Sequence, residues 1–258
     1  WNEIISQVIE ISPVFSMADR YNITGNLVLP KYDAQNSSIV MQYADEGTTA
    51  ESGKVVISQI TLGGFLARCL AKISKSLINN SNFDIVGFVE AKMAQAIALY
   101  FEHELLYGTD NKVEGLKGIT SDMTVTTATA TKITSDELMD LQDKVIDNYQ
   151  ANAVWIMNRE TRNAIRKLKD NDGDYLLNRD FTAKWGYTLF GKPVYTTDSV
   201  SAIASEKTAI YYGDMSGLAV KTSEDVSIQI LNEKYATQHA VGVIAWVEID
   251  AKGENAQK

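Results

Sequence analysis

The stretch that decides the fold is residues 83–119, FDIVGFVEAKMAQAIALYFEHELLYGTDNKVEGLKGI, which we interpret as one long helix followed by a glycine-containing loop. Asn82 is a suitable N-cap, Asp84 lies in the first turn, where the helix dipole favours a carboxylate, and Gly108 can end the helix as its C′ residue. A helix of about 24 residues would be about 36 Å long, roughly two to three times the usual length. Its main apolar side chains share one stripe at 100° per residue. The stripe consists of Val86, Val89, Met93, Ile97, Tyr100 and Phe101.

Two glutamates, Glu90 and Glu104, fall within this apolar stripe. A carboxylate that is buried without a partner is costly, so each must reach solvent or meet a cation. Glu104 is expected to lie in the solvated last turn of the helix. Two interpretations of Glu90 stay open: it reaches solvent at the edge of the stripe, or it pairs with an Arg or Lys of its own sheet or of a neighbouring chain.

The chain before the helix has the alternation of extended strands. Residues 1–23 predict an extended or partly helical N-terminal arm. A period-two pattern then follows at residues 39–43 and 65–73, which predicts a long two-stranded ribbon. A polar tip with two glycines, residues 45–54, lies between these strands. An isolated hairpin is only marginally stable in water, so this ribbon needs a surface to lie on.

The chain after the helix alternates between strand and helix signals over residues 118–222, which predicts one α/β domain. Thr134 and Glu137 have the spacing of a capping box at the start of a helix. Residues 153–157 form a buried-strand candidate, and Asn158 is placed to cap the helix that follows. Further strands are expected near the C-terminus.

The composition excludes several classes of protein. The 258-residue chain is 45% hydrophobic and 22% charged, which is ordinary for a folded domain. Its net charge of −9 disfavours sequence-specific nucleic-acid binding, which needs a basic face. Cys69 is the only cysteine, so an intrachain disulfide is impossible. No apolar run approaches the ~20 residues of a membrane-spanning helix.

The residues give no constellation for catalysis, metal binding or a cofactor. His103 lies between two glutamates on the helix, but consecutive residues point about 100° apart, so a solvated helix end is favoured over a metal site. Cys69 is interpreted as a small buried hydrophobe on a strand. Residues 168–179 lack the carboxylate that a calcium loop requires at its first position. An α/β hydrolase or transferase is retained as an alternative from another class of protein.

Several short motifs occur in an order that resembles one family. They are VWIMN (residues 154–158), KDNDGDYL (169–176), LFGKPV (189–194) and GDM (213–215). Together with the long helix and its glycine loop, this ordered set resembles the major capsid proteins of tailed bacteriophages, whose shell fold is shared with encapsulins. Each motif alone is weak, and the set covers roughly residues 26–253.

The resemblance implies a division of this α+β chain. It predicts an N-terminal arm (residues 1–23), an extended two-stranded loop (24–75) and an axial α/β domain at the capsomer centre (118–222). It also predicts a peripheral domain built on the spine helix, formed by residues 76–117 together with 223–258. The late strands would return to that domain and make it discontinuous in sequence.

The resemblance also implies a function in assembly. The chain would be a non-enzymatic major capsid protein that forms pentamers and hexamers of an icosahedral phage head enclosing double-stranded DNA. It would belong to the virion and assemble in the cytoplasm of a bacterial host. The alternative is an encapsulin, a protein cage with the same fold that encloses an enzyme.

The implied partners are other copies of the chain, a portal protein, and scaffolding or decoration proteins. No cofactor and no membrane are expected. The functional residues would be contacts between subunits, in the acidic tip of the extended loop and on the spine helix. The predicted contact residues are Asp45, Glu46, Glu51, Lys54, Glu90 and Lys92.

Some members of this family cross-link their subunits through a lysine, an asparagine and a glutamate. At the matching positions this chain has Thr49, Ile230 and Thr237. Lys54 and Asn232 are nearby substitutes, but no glutamate is obviously placed to assist them. The sequence therefore predicts a shell without covalent cross-links.

Overall fold

The computed structural model describes six stretches of the chain. These are residues 12–32, 53–108, 112–119, 123–169, 177–179 and 186–255. The earlier part of the predicted arm, the predicted strand at residues 39–43 and most of the loop tip lie outside the described residues.

The described helices and strands follow one another in mixed order. The helices are α1 (Pro13–Met17), α2 (Lys75–Asn80), α3 (Ile85–Tyr107), α4 (Leu116–Ile119), α5 (Ser135–Asp143), α6 (Asp147–Gln150) and α7 (Arg159–Ile165). The strands are β1 (Asp19–Asn22), β2 (Leu27–Tyr32), β3 (Ile57–Leu62), β4 (Phe65–Ser74), β5 (Val154–Met157), β6 (Leu177–Arg179), β7 (Tyr187–Leu189), β8 (Lys192–Thr196), β9 (Ile210–Gly213), β10 (Leu218–Leu231) and β11 (Ala240–Gly253). Short 3₁₀ helices lie at Met215–Gly217 and Ala236–Gln238.

The long helix is confirmed as α3, with 23 residues and a length of about 35 Å. Its N-cap is Asp84 instead of the predicted Asn82, because the Asp84 carboxylate accepts a hydrogen bond from the Gly87 N–H at 3.0 Å. Gly108 ends the helix, and its N–H donates to the Glu104 carbonyl at 2.8 Å. Its φ of −51° is not the left-handed value expected of a C′ glycine.

Position 108 requires glycine because there is no room for a side chain there. The chain turns back so tightly after α3 that a Cβ on Gly108 would lie 2.2 Å from the Val113 carbonyl oxygen and 2.5 Å from that of Glu104. Both contacts are to backbone, which cannot move aside as the end of a flexible side chain can. Gly115 then donates back to the Gly108 carbonyl at 3.4 Å.

The spine helix packs on a four-stranded sheet with the order β1-β10-β11-β4. β1 runs parallel to β10, and the other neighbours are antiparallel. The late strands predicted from the sequence are β10 and β11, each 14 residues long. Side chains from the helix and the sheet interlock in one core, which includes Met93, Ile97, Phe101, Leu105, Val220, Val243, Val247 and Ile249.

The prediction that residues 65–73 form one strand of the ribbon is wrong. This segment is β4, and it pairs with β11 from Phe65↔Ile249 to Ser74↔Ala240. The alternation was correctly recognised, but the inward side chains of β4, such as Cys69 and Ile73, pack against the core under α3. Burial of that face favours the sheet over an exposed ribbon.

The described part of the ribbon consists of β2 and β3. They are antiparallel, and they pair from Leu27↔Leu62 to Tyr32↔Ile57. Ile60 and Leu62 are buried, whereas Val28 and Ile57 face solvent. The ribbon therefore has a covered face and an opposite face on which large apolar side chains are exposed.

Residues 12–22 of the predicted arm belong to the core. Ser12 caps α1 by accepting from the Phe15 N–H at 3.2 Å, and Val14 and Phe15 are buried against the spine helix. β1 extends the sheet beside β10. Residues 12–22 are therefore held by the same core as α3.

A second sheet has the order β6-β7-β8-β5-β9. Among its described strand pairs, β5 and β8 are parallel and the others are antiparallel. Alternate residues of β5 belong to two different hydrophobic cores. Val154 and Ile156 join the core of the spine helix, whereas Trp155 and Met157 pack with Leu138 and with Ile165 of α7. The mixed α+β fold agrees with the expectation.

Two caps predicted from the sequence are confirmed in this region. Thr134 and Glu137 form the capping box of α5, with both reciprocal hydrogen bonds present. The backbone N–H groups of Thr134 and Ala128 lower the pKa of the Glu137 carboxyl, Thr134 having the larger effect. Asn158 caps α7 by accepting from the Glu160 N–H at 2.9 Å.

Candidate assembly surfaces and buried polar groups

The predicted contact residues lie in separate places. Lys54 is exposed just before β3, Glu90 is half-buried on α3, and Lys92 is exposed on the same helix. Asp45, Glu46 and Glu51 lie outside the described residues. The structure thus brings Glu90 and Lys92 onto one helix, and it shows no common site for the described members of the set.

Lys92 interacts within its own helix. Its ammonium donates to the Gln95 side-chain oxygen at 3.2 Å and lies 5.7 Å from the centre of the Phe88 ring. A cation over an exposed aromatic ring contributes about 0.5–1 kcal/mol. A contact between Lys92 and another subunit would therefore compete with these local interactions.

An exposed apolar cluster, which we call the helix-start cluster, surrounds the beginning of α3. It consists of Phe83, which is 64% exposed, and Phe88; Leu77, which is also exposed, lies on the preceding helix α2. The two phenylalanine rings meet edge to face with their centres 6.0 Å apart. An exposed patch of large apolar side chains commonly marks a protein contact surface.

The outer face of the ribbon is a second exposed apolar surface. Val28 lies on it, Ile57 is 63% exposed, and Val55 precedes it along the chain. Sequence reasoning selected charged residues of the loop as contacts and missed these aliphatic ones. Ile57 shares this face with the polar residues Gln59 and Thr61, so the sequence gives no strong signal for an apolar contact here.

The buried carboxylate of the spine helix is Glu102, which sequence reasoning also missed. Glu90 and Glu104 are only half-buried, so the interpretation that Glu104 reaches solvent fits, whereas Glu102 is 1% exposed. Its Oε2 accepts from the Ser199 hydroxyl at 2.9 Å, and its Oε1 has no hydrogen-bond partner among the described residues. This contact joins α3 to the loop after β8.

Burial raises the pKa of the Glu102 carboxyl. Hydrogen bonds from Thr197 and Ser199 oppose this effect, and the nearby Asp198 carboxylate adds to it. Because the folded pKa lies above the unfolded one, folding favours the protonated carboxyl. The stability that Glu102 contributes is therefore greatest below its unfolded pKa, near 4.5, and is lost as pH rises through the folded pKa.

We expect Glu102→Gln to flatten the pH dependence of stability, because the amide cannot ionise. The free energy of unfolding of this variant should rise relative to that of the original chain as pH increases from about 4 towards neutrality. Denaturant titrations over this range measure the difference. Gln95→Ala is the control on the same helix; this exposed residue cannot ionise, so the variant should leave the shape of the curve unchanged. A constant difference between Glu102→Gln and the original chain at every pH would contradict the assignment.

A second group of buried charges lies where the ribbon joins the main sheet. Asp250 of β11 is 2% exposed, and Lys221 of β10, opposite it in register, is 0% exposed. Burial raises the pKa of Asp250. Smaller effects lower it: hydrogen bonds from the backbone of Gly63 and of Ala251, and the positive charges of Lys252 and Lys221. The side chains of Asp250 and Lys221 both contact the backbone of Gly63, at the end of the ribbon.

The described residues show little that could support catalysis or metal binding. Within them, no group of three or more His, Cys, Asp or Glu side chains could hold a metal ion. A cavity of about 590 Å³ lies between α5 and the loop before β9, and its described lining contains neither histidine nor cysteine. Among the helices of the described stretches, none is long and apolar enough to cross a membrane.

Comparison with known proteins places the chain in one family. It matches the model of the phage capsid family over residues 1–256. A comparison with curated protein sequences found no match.

Solved structures with the same fold include a capsid and phage proteins. One is described as the capsid of an empty GTA particle computed with C5 symmetry; it is 22% identical, with a TM-score of 0.78 over 95% of this chain and 86% of that one. A structure from Microbacterium phage Oxtober96 is 18% identical, with a TM-score of 0.73 over 94% and 84%. One from Mycobacterium phage Cain is 15% identical, with a TM-score of 0.70 over 93% and 83%. These matches do not favour the encapsulin alternative. The chain belongs to the phage capsid family and is a structural major capsid protein.

Proposed function

We propose that copies of this chain assemble into pentamers and hexamers of an icosahedral phage head that encloses double-stranded DNA. The observation that carries the proposal is the match to the phage capsid family over residues 1–256. An acidic chain, with a net charge of −9, suits a container whose wall must not bind the packed DNA tightly. The subunit itself performs no catalysis.

The contacts between subunits involve two apolar surfaces, the outer face of the ribbon and the helix-start cluster. A two-stranded ribbon is marginally stable alone, so covering its exposed face stabilises both the ribbon and the shell. The polar contacts proposed from the sequence add to these apolar surfaces. They are Asp45, Glu46, Glu51, Lys54, Glu90 and Lys92.

The other partners are proteins that complete a phage head. A portal protein occupies one position in the shell, and scaffolding or decoration proteins assist assembly or bind outside it. Assembly takes place in the cytoplasm of the bacterial host. DNA is enclosed without recognition of its sequence.

Sedimentation and light scattering of the purified full chain test this proposal. We expect particles of viral size, and particles recovered from infected cells should protect double-stranded DNA from nuclease. A small cage that contains a cargo enzyme would support an encapsulin. A small oligomer that never grows would contradict a role in a shell.

The shell is expected to be held together without covalent bonds. Ile230 and Thr237 are both exposed, and neither side chain can take the part of the asparagine or the glutamate in a cross-link. Without an adjacent carboxylate, a lysine amine stays protonated near neutral pH and is not a nucleophile. Boiling particles in denaturing detergent should release one band near 28.5 kDa. A ladder of larger bands would show that another lysine forms the bond.

A further inference from the structure

The ribbon joins the main sheet through a two-residue turn, Gly63 and Gly64, between β3 and β4. The N–H of Gly63 donates to Asp250 Oδ2 at 2.7 Å, and the Lys221 ammonium donates to the Gly63 carbonyl oxygen. Two buried side chains from neighbouring strands thus hold both polar groups of one residue. Each strand belongs to the core of the spine helix, so this core directly holds the end of the ribbon.

Gly64 and Lys31 also lie close to β11. Gly64 has φ +140°, and a Cβ at this position would lie 1.8 Å from the Glu248 carboxylate. The Lys31 ammonium on β2 donates to the Gly253 carbonyl at 3.4 Å, which gives the ribbon a second attachment to β11. The direction of the ribbon is therefore set by contacts with β10 and β11.

We propose that Asp250 and Lys221 are positioning residues for assembly: they clamp Gly63 and so fix the direction in which the ribbon leaves the sheet. This inference rests on the proposed function, in which the ribbon reaches a neighbouring subunit. A small rotation at the base of the ribbon moves residues farther along it by a larger distance, so a loose turn would spread Ile57 over more positions. Ordering the ribbon before assembly reduces the entropy lost when the contact forms.

Stability of the sheet alone does not require these charges. Burying two charged groups carries a large desolvation cost, and apolar side chains of similar size often replace such a pair without loss of stability. Apolar side chains cannot, however, bind the N–H and the carbonyl of Gly63. Asp250 and Lys221 therefore differ from an apolar pair in that they form hydrogen bonds with the backbone of Gly63.

The double variant Asp250→Leu with Lys221→Met separates stability from positioning. We expect its melting temperature to stay close to that of the original chain. Hydrogen exchange at the Gly63 amide of unassembled subunits should accelerate by about tenfold or more, as expected for loss of a hydrogen bond to a charged group. The yield of regular shells should fall sharply, with aberrant or open particles in their place.

Two further variants keep this test interpretable. Val243→Ala changes a buried residue of β11 outside the turn, so it should lower the melting temperature without changing Gly63 exchange or the shape of the particles. Asp250→Asn keeps an acceptor for the Gly63 N–H but makes the bond weaker, so exchange should be intermediate. This single variant decides the question if the double variant does not fold.

Two results would overturn the clamp: exchange of Gly63 at the original rate in both Asp250 variants, or regular shells at full yield despite faster exchange. If the original chain forms no shell under any condition, the proposed function fails. The exchange of Gly63 still reports on the clamp in that case, so the two failures are distinguishable.

Discussion

Gly108→Ala is expected to prevent the subunit from folding into a form that can assemble. The added Cβ would lie 2.2 Å from the Val113 carbonyl oxygen and 2.5 Å from that of Glu104, and neither atom can move without breaking the end of α3. The displaced segment carries Val113 and Leu116 into the core. We expect a loss of about 3 kcal/mol or more in the free energy of unfolding, at the upper end of overpacking effects. Denaturant titration and the yield of soluble protein measure it.

Gly63→Ala is the matched control. A Cβ there would lie 3.8 Å from the Asn26 side chain and 4.0 Å from Asp250, which are ordinary contacts. Its effect on stability should stay within about 0.5 kcal/mol. Comparable stability of the two alanine variants would show that the chain after α3 can move away from Gly108, contrary to the packing described here.

Ile57→Asp is expected to abolish shell formation while leaving the subunit folded. Ile57 is 63% exposed in the isolated chain, so a polar side chain there costs little before assembly. In the proposed shell this residue is covered by a neighbouring subunit, where an unpaired carboxylate is strongly unfavourable. Because the same contact recurs in every subunit, even a modest cost per contact is multiplied over the particle. Sedimentation of the variant at assembling concentrations measures the result.

Ser58→Asp provides the control for charge alone. Ser58 is the next residue of β3, is also exposed, and points to the opposite face of the ribbon. Shells should form from this variant more readily than from Ile57→Asp. If both variants assemble as well as the original chain, the outer face of the ribbon is not a contact between subunits.

Local signals in the sequence were sufficient for several elements. The capping box of Thr134 and Glu137 and the cap at Asn158 depend on residues within three positions, and the structure contains them as predicted. The spine helix is long enough for its periodicity to dominate any single residue. Each of these features depends on interactions between neighbours in the chain, which a sequence displays directly.

Features that depend on distant residues were predicted less well. The alternation in β4 showed a strand with one buried face, but it contains no information on which strand pairs with it; β11 lies far along the chain. The glycine at position 108 was recognised as the end of a helix. Its reason, the close approach of Val113, depends on how the later chain packs.

Glu102 shows the same limitation within the candidate functional surfaces. It lies on one row of the helix with Ala94 and Ala98, at intervals of four residues. Because alanines are small, this row did not stand out as part of the apolar stripe. Those alanines are nevertheless fully packed, so the buried face of α3 is wider than the predicted stripe. Tyr100, which was placed on that stripe, is exposed. The row Ala94–Ala98–Glu102 was the available signal for a buried carboxylate.

Electron cryomicroscopy of particles formed by the full chain tests whether the ribbon joins neighbouring subunits in a shell. We predict a closed shell of pentamers and hexamers in which the outer face of each ribbon, marked by Val28 and Ile57, lies against a neighbouring subunit. The turn at Gly63 should remain bound to Asp250 and Lys221 in these subunits. A discrete small oligomer, or a shell in which this face of the ribbon contacts only solvent, would contradict the account.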